Sequence, residues 1–280
     1  MKIKITADST CDLTKELIEE YGIEIVPLYI IDGDKTYVDG VDIQPQEIFG
    51  LVAASGRLCS TAAVSVSDYL AIFGRLLKEY DAVVHFTISG DMSACYQNAC
   101  MAGEELGNVY VVDSRNLSTG IGHLVLDAAI MAKNGADAAD IKAEMDKKQE
   151  KLDVSFILDT LKYIHKGGRC SAVAAFGANV LGLKPCIEVK SGTMGVGKKY
   201  RGTLKKCMVQ YVHDRLEGRD DIDYSRIFIT DSGIDEDIRE AVHEAVAECG
   251  PFENIWHTRA GCTVSNHCGP NCLGILYYHK

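Results

Sequence analysis

The apolar run Val83 to Ile88 ends in Ser89-Gly90-Asp91-Met92-Ser93, and the chain then takes up helical spacing through Tyr96, Ala99, Cys100 and Gly103. Hydroxyls and a flexible backbone at a helix start can hold an anion, because the first-turn N–H groups are unpaired and the helix dipole is positive there. The anion indicated is a carboxylate or a phosphate. A highly charged one is opposed by Asp91 and by the lack of any Lys or Arg between residues 79 and 114, so a P-loop type of phosphate cradle does not match. Nor does a nucleophile elbow, which needs Gly-x-Ser-x-Gly where this chain has Gly90-Asp-Met-Ser93-Ala94.

Three further groups carry chemistry. In the segment Cys59 to Tyr69, Ser67 is expected to cap the following helix, which leaves Thr61 and Ser65 for a ligand or for the local backbone. His267 stands just ahead of the Gly269-Pro270 turn and, taken alone, reads as structural. Arg169 follows two glycines, and residues 198 to 206 hold five basic side chains in nine, Arg201 among them. Such a run is usually a solvated helix start; the other reading is a patch for phosphate or an acidic protein surface. Asp-Ser also ends three apolar runs. Helix capping accounts for Asp113 and Asp231, whereas Asp8 and Ser9 stand evenly between a cap and a ligand contact, because ligands of open α/β sheets lie beyond the strand carboxyl ends.

The elements that must position these groups alternate. Strand-like runs at 3–7, 24–30, 82–88 and 109–112 are interleaved with helical periods at 13–21, 45–54, 68–79, 93–106, 117–133 and 137–150. That alternation predicts a parallel sheet covered by helices. Beyond residue 153 the strands at 154–158, 184–190 and 194–200 are joined by tight turns such as Lys190-Ser191-Gly192, which predicts antiparallel pairing. A helix at 203–217, a strand at 226–230, a helix at 235–248 and strands near 254–258 and 272–278 follow. The fold class is α/β in two lobes, an N-terminal parallel α/β domain over 1–150 and a C-terminal α+β domain with a mixed or antiparallel sheet over 151–280.

Composition narrows the partners. The chain has 280 residues, a formal net charge of −11 and 47% hydrophobic residues, which argues against nucleic acid or an anionic membrane as partner. Eleven cysteines are scattered and odd in number, as expected of free thiols in a reducing cytoplasm. No pair has the two-residue gap of a zinc knuckle, so no metal is expected. Neither a signal peptide nor an apolar stretch near the ~18 residues that span a bilayer is present.

Five segments, read together and in order, resemble the DegV family of bacterial fatty-acid-binding proteins: Ile5 to Leu13, Ser89 to Gln97, Val111 to Gly122, Leu158 to Ser171 and His267 to Gly274. The resemblance implies a two-lobed α/β carrier, not an enzyme, with one long-chain fatty acid such as palmitate between its lobes. Its carboxylate would rest on Thr61, Ser93 and His267 and its tail in an apolar tunnel. The resemblance also implies a partner, a fatty acid kinase that makes acyl phosphate, with Arg169 and Arg201 facing it. The chain departs from the family at Ala62-Ala63-Val64, where Ser-Gln-Pro is usual, and at Asp91. An acyl hydrolase or acyl transferase using Ser93 and His267 is the alternative, although no acidic partner for His267 can be picked from the sequence. A nucleotide-binding domain is more remote.

Overall fold

The computed structural model describes residues 1–174 and 182–280. Its first sheet is built on short strands rich in Val, Ile and Ala. In β6 (Ala82–Thr87) all six residues are buried, the pattern of a strand covered on both faces. It lies beside β1 (Ile3–Asp8), with β2 (Glu24–Val26) and β7 (Val109–Asp113) outside, in the order β2-β1-β6-β7. All three pairings are parallel.

The strand expected over 24–30 divides at Pro27, which has no N–H to continue a ladder. Leu28 donates its N–H to Ser9 Oγ (3.1 Å). The chain then enters a separate antiparallel sheet of β3 (Tyr29–Asp32), β4 (Lys35–Val38) and β5 (Ser60–Ala62), in the order β4-β3-β5. This three-stranded sheet has no counterpart in the expected elements, and it carries Thr61 opposite Ile30.

A third, six-stranded sheet contains β8 (Leu152–Ile157), β9 (Leu183–Lys190), β10 (Thr193–Arg201), β11 (Ile222–Asp231), β12 (Ile255–Arg259) and β13 (Leu273–His279), in the order β10-β9-β8-β13-β11-β12. Only β11 and β12 pair in parallel. The hairpin expected at Lys190-Ser191-Gly192 joins β9 to β10. Its two loop residues both have positive φ, 49° at Ser191 and 87° at Gly192, which suits the twist of a tight hairpin.

The helices are α1 (Lys15–Glu20), α2 (Pro45–Ser55), α3 (Val66–Leu76), α4 (Cys95–Leu106), α5 (Thr119–Lys133), α6 (Ala138–Lys148), α7 (Lys162–Gly167), α8 (Ser171–Ala174), α9 (Leu204–Leu216), α10 (Glu236–Cys249) and α11 (Cys262–Cys268). None among the described residues is long and apolar enough to cross a membrane.

The largest core cluster is continuous between the parallel and six-stranded sheets. Val84, Phe86 and Leu124 belong to it together with Val154, Phe228, Leu276 and Tyr278. The alternate residues of β13, Ile275 and Tyr277, point to the other face, where they pack with Met208 and Tyr211 of α9 and Val242 of α10. A smaller cluster of Ile30, Ile48, Tyr163 and Cys262 lies against the three-stranded sheet.

Candidate functional site

The loop after β6 divides its hydroxyls between structure and cavity. Ser89 is fully buried; its N–H donates to the Asn116 carbonyl (2.9 Å) and its Oγ to the Gly192 carbonyl (2.7 Å). Ser93 lines a cavity of about 230 Å³. Its Oγ accepts from the Cys95 N–H at 3.3 Å and donates to Cys95 Sγ at the same distance. Helix α4 therefore begins at Cys95, two residues later than its apolar spacing suggests.

Thr61 and His267 meet on the wall of the same cavity, with Thr61 Oγ1 2.9 Å from His267 Nε2. His267 lies in the last turn of α11, a helix that is not among the expected elements. Its N-terminus is seated on two carboxylates from the other end of the chain. Gly261 N–H donates to Asp12 Oδ1 (2.9 Å), Cys262 N–H to Asp39 Oδ1 (2.9 Å) and Thr263 N–H to Asp39 Oδ2 (3.1 Å). The Thr263 hydroxyl adds a bond of 2.7 Å to Asp39. Carboxylates at first-turn N–H groups satisfy orphan donors and oppose the positive end of the dipole. Burial pushes the Asp12 carboxyl up to about 8, against the Ser118 hydroxyl and the Gly261 N–H, which pull it down.

The other ring nitrogen of His267 is buried without a hydrogen-bond partner among the described residues. It lies against the backbone of Gly167, where a Cβ would run into it. Burial first, and the Arg169 guanidinium second, hold the imidazole down at about 4. The ring is therefore neutral near pH 7. Arg169 lines the cavity and is fixed at both ends of this arrangement, donating from Nη1 to the Gly167 carbonyl (2.9 Å) and from Nε to the Met92 carbonyl (3.4 Å). Apart from Thr263, whose hydroxyl is taken up by Asp39, the remaining wall is apolar and includes Leu28, Ile88, Met92, Leu117, Ile164 and Met194.

The structure thus places Thr61, Ser93, His267 and Arg169 around one cavity, with residues from both sides of position 150. Arg201 is elsewhere, exposed on β10 opposite Leu183. Two lysines of its basic run form ion pairs, Lys198 with Asp214 (2.6 Å) and Lys205 with Asp237 (3.1 Å).

Other expectations are corrected. The cap of α3 is Ser65, not Ser67: Ser65 Oγ accepts from the Asp68 N–H (3.1 Å) and donates to the Asp68 carboxylate (2.7 Å). Asp8 is buried and accepts from the Tyr69 hydroxyl (3.1 Å) and the Ile88 N–H (2.9 Å). Ser9 binds Asp39 and Leu28. Asp113 and Asp231 bond to the N–H groups of Arg115 and Gly233 two residues on, closing their own loops, while the following helices start only at Thr119 and Glu236. The sequence reading missed Asp12, Asp39 and Gly167, whose partners lie far away along the chain.

Chemically, the site offers two hydroxyls, a neutral imidazole and one guanidinium at the wall of an apolar cavity. That set suits one carboxylate whose organic remainder is apolar. A Ser-His nucleophile pair needs the histidine's second nitrogen oriented by an acid, and here that nitrogen has no such partner among the described residues.

The family model described as "Uncharacterised protein, DegV family" matches residues 2–280. A DegV domain-containing protein of Clostridium perfringens is 31% identical over 283 residues, covering 100% of this chain and 99% of the relative. Among solved structures, a fatty-acid-binding DegV family protein from Thermus thermophilus is 32% identical with a TM-score of 0.89, and the match covers 100% of both chains. A stearic-acid-binding protein from Eubacterium ventriosum is 26% identical with a TM-score of 0.85, covering 99% of this chain and 98% of that one.

Proposed function

The chain belongs to the DegV family, and on that premise we propose that it is a carrier that binds one long-chain fatty acid, such as palmitate, between its lobes 1–150 and 151–280. The carboxylate rests on Thr61, Ser93 and His267, and the tail occupies the apolar part of the cavity. One observation carries this reading: a Thr61–His267 pair at 2.9 Å, drawn from distant segments, on the wall of a mostly apolar cavity. Hydroxyl and imidazole donors satisfy carboxylate oxygens that would be expensive to bury unpaired. The tail supplies most of the affinity, at ~0.8 kcal/mol per buried methylene.

In this reading the acid is presented to a fatty acid kinase, which phosphorylates its carboxylate. Arg169 on the cavity wall and Arg201 on the surface face that partner, Arg169 beside the head group and Arg201 on the docking side. The eleven cysteines, none of them in a disulfide among the described residues, suit a reducing cytoplasm, the compartment in which this reading puts the carrier. The test is solvent extraction and mass spectrometry of the purified protein, which should release stoichiometric fatty acid. A protein that emerges empty and binds neither added palmitate nor oleate overturns the reading.

A further inference from the structure

The first turn of α4 touches both segments that carry hydroxyls to the cavity. At its start the Cys95 N–H donates to Ser93 Oγ (3.3 Å). One turn later Asn98 Nδ2 donates to the Val64 carbonyl (2.8 Å). Positions 95 and 98 share a helix face, so the two bonds leave α4 side by side. Val64 is buried and follows the run Thr61-Ala62-Ala63, all three of which line the cavity. Cys95 is itself fully enclosed. Its thiol meets the Tyr69 hydroxyl and the Val64 backbone, and Tyr69 is in turn anchored on Asp8 (3.1 Å).

The arrangement matters because the two hydroxyls come from different sheets. Ser93 belongs to the loop after β6 of the parallel sheet. Thr61 belongs to β5, a three-residue strand at the edge of the small antiparallel sheet. β3 holds that strand from one side, and Asn98 holds the chain as it leaves. Three residues of helix advance about 4.5 Å, so α4 acts as a rigid spacer between the two segments. A carboxylate presents two oxygens and is satisfied by donors at a set spacing. An alcohol presents one oxygen and is indifferent to that spacing. Asn98 does not itself line the cavity, so what it contributes to binding passes through Val64 to Thr61.

We propose that Asn98 is a positioning residue: by holding Val64 one turn from the anchor of Ser93, it sets the separation of the Thr61 and Ser93 hydroxyls. That separation makes the cavity prefer a carboxylate to a one-oxygen head group on the same chain. This rests on the fatty-acid reading above. The start of α4 thus selects the head group without touching it.

The test is a calorimetric titration of the delipidated full chain with laurate and with 1-dodecanol. The proteins are the wild type, Asn98→Leu, Asn98→Ala, Thr61→Val and the double variants that join each Asn98 change to Thr61→Val. The readout is the ratio of laurate to dodecanol affinity, which a general loss of folding or of tail contacts does not change. Asn98→Leu keeps the size, removes the amide donor and adds no charge near the carboxylate. It is expected to lower the ratio about fivefold, the share of one well-placed hydrogen bond, and Asn98→Ala to lower it likewise. With Thr61→Val in place, neither change is expected to lower the ratio further. Should Asn98→Leu fail to fold, Asn98→Ala with and without Thr61→Val decides the matter. Equal loss of both ligands, no loss of either, or an undiminished effect beside Thr61→Val overturns the positioning role and leaves the fatty-acid reading intact. A wild type that binds no fatty acid, palmitate and oleate included, overturns that reading, and the positioning role with it.

Discussion

Thr61 Oγ1 and His267 Nε2 lie 2.9 Å apart although 206 residues separate them in the chain. The bond ties the three-stranded sheet to the end of α11 and puts a hydroxyl and an imidazole at one point of the cavity wall. Thr61→Val keeps the shape and removes the hydroxyl, and Ser93→Ala does the same across the loop. Each is expected to weaken palmitate binding by ~1–3 kcal/mol, the effect of leaving a buried polar partner unsatisfied. Calorimetry on delipidated protein measures it, and unchanged affinity in both variants would place the head group somewhere else.

The buried imidazole also predicts a pH dependence. His267 is held down at about 4 by burial and by Arg169, below the ordinary 6.5. Between these values the unfolded chain binds the proton and the folded one does not, so stability rises with pH there. It is fully present above about 6.5 and is lost as pH falls toward 4. Replacing His267 with Gln is expected to reduce the loss between pH 7 and pH 4.5 by about 2–3 kcal/mol. Urea unfolding of the two proteins at both pH values checks this, and parallel pH profiles would refute it. His123, held near 3 by burial and Arg226, contributes in the same direction to both proteins and cancels in the comparison.

How far the sequence could be read follows from the range of each interaction. Local signals are legible: the mostly apolar run of β6, the Ser191-Gly192 turn, the polar loop that ends in Ser93, and the hydroxyl-rich segment that begins near Thr61. Helix α11 was not, because Cys-Thr-Val-Ser-Asn-His-Cys contains poor helix formers. What secures this helix is tertiary, the carboxylates of Asp12 and Asp39 on its first N–H groups, and no local spacing announces a partner more than 200 positions away. The cap of α3 was misplaced because Ser65 and Ser67 are both competent caps, and only the bond to Asp68 N–H distinguishes them. The break at Pro27 could have been taken from the proline itself. The family resemblance brought Thr61, Ser93 and His267 together, whereas the position of Arg169 on the cavity wall came only from the structure.

A buried charge network joins the halves of the chain. Arg226 of β11 donates from Nε to His123 Nδ1 (2.9 Å) and from Nη2 to the His123 carbonyl (3.1 Å), and it pairs with Asp127 of α5. Asp127 also binds Lys148 (2.6 Å). Removing one member of such a network strands the others, at about 3–5 kcal/mol. Arg226→Met is therefore expected to lower the unfolding free energy by that order, with both sheets melting in one transition because a single core cluster spans them. A loss below about 1 kcal/mol, the range of surface ion pairs, or two separate transitions in calorimetry, would contradict this.

Arg169 and Arg201 separate two roles. Arg201 is exposed on β10 and does not line the cavity, so Arg201→Ala is expected to leave palmitate affinity unchanged while weakening association with a fatty acid kinase and acyl-phosphate formation. Arg169→Ala, by contrast, opens the Met92 and Gly167 contacts and is expected to disturb the head-group end directly. Co-sedimentation with the kinase and a phosphorylation assay distinguish them. Loss of palmitate binding in Arg201→Ala would assign that side chain to the pocket.

Gly192 shows how the cavity wall is kept closed. The hairpin turn between β9 and β10 is clasped by the other half of the chain, with Ser89 Oγ donating to the Gly192 carbonyl and Arg115 Nη2 to the Ser191 carbonyl, both at 2.7 Å. Met194, two residues on, lines the cavity. At φ 87° Gly192 is in the left-handed region, and a Cβ there would stand 2.8 Å from Asp91 Oδ2 and 3.0 Å from Ser89 Oγ. Gly192→Ala therefore combines backbone strain of roughly 1–2 kcal/mol with a push that lifts the turn from Ser89. The expected outcome is lower stability by about 1–3 kcal/mol and faster release of bound palmitate, since the Met194 wall loses its clasp. Adding Asp91→Ala removes the nearer obstacle and should restore part of the loss, a coupling that a double-mutant cycle reads directly. Identical release rates in wild type and Gly192→Ala would show that this hairpin does not hold the ligand in.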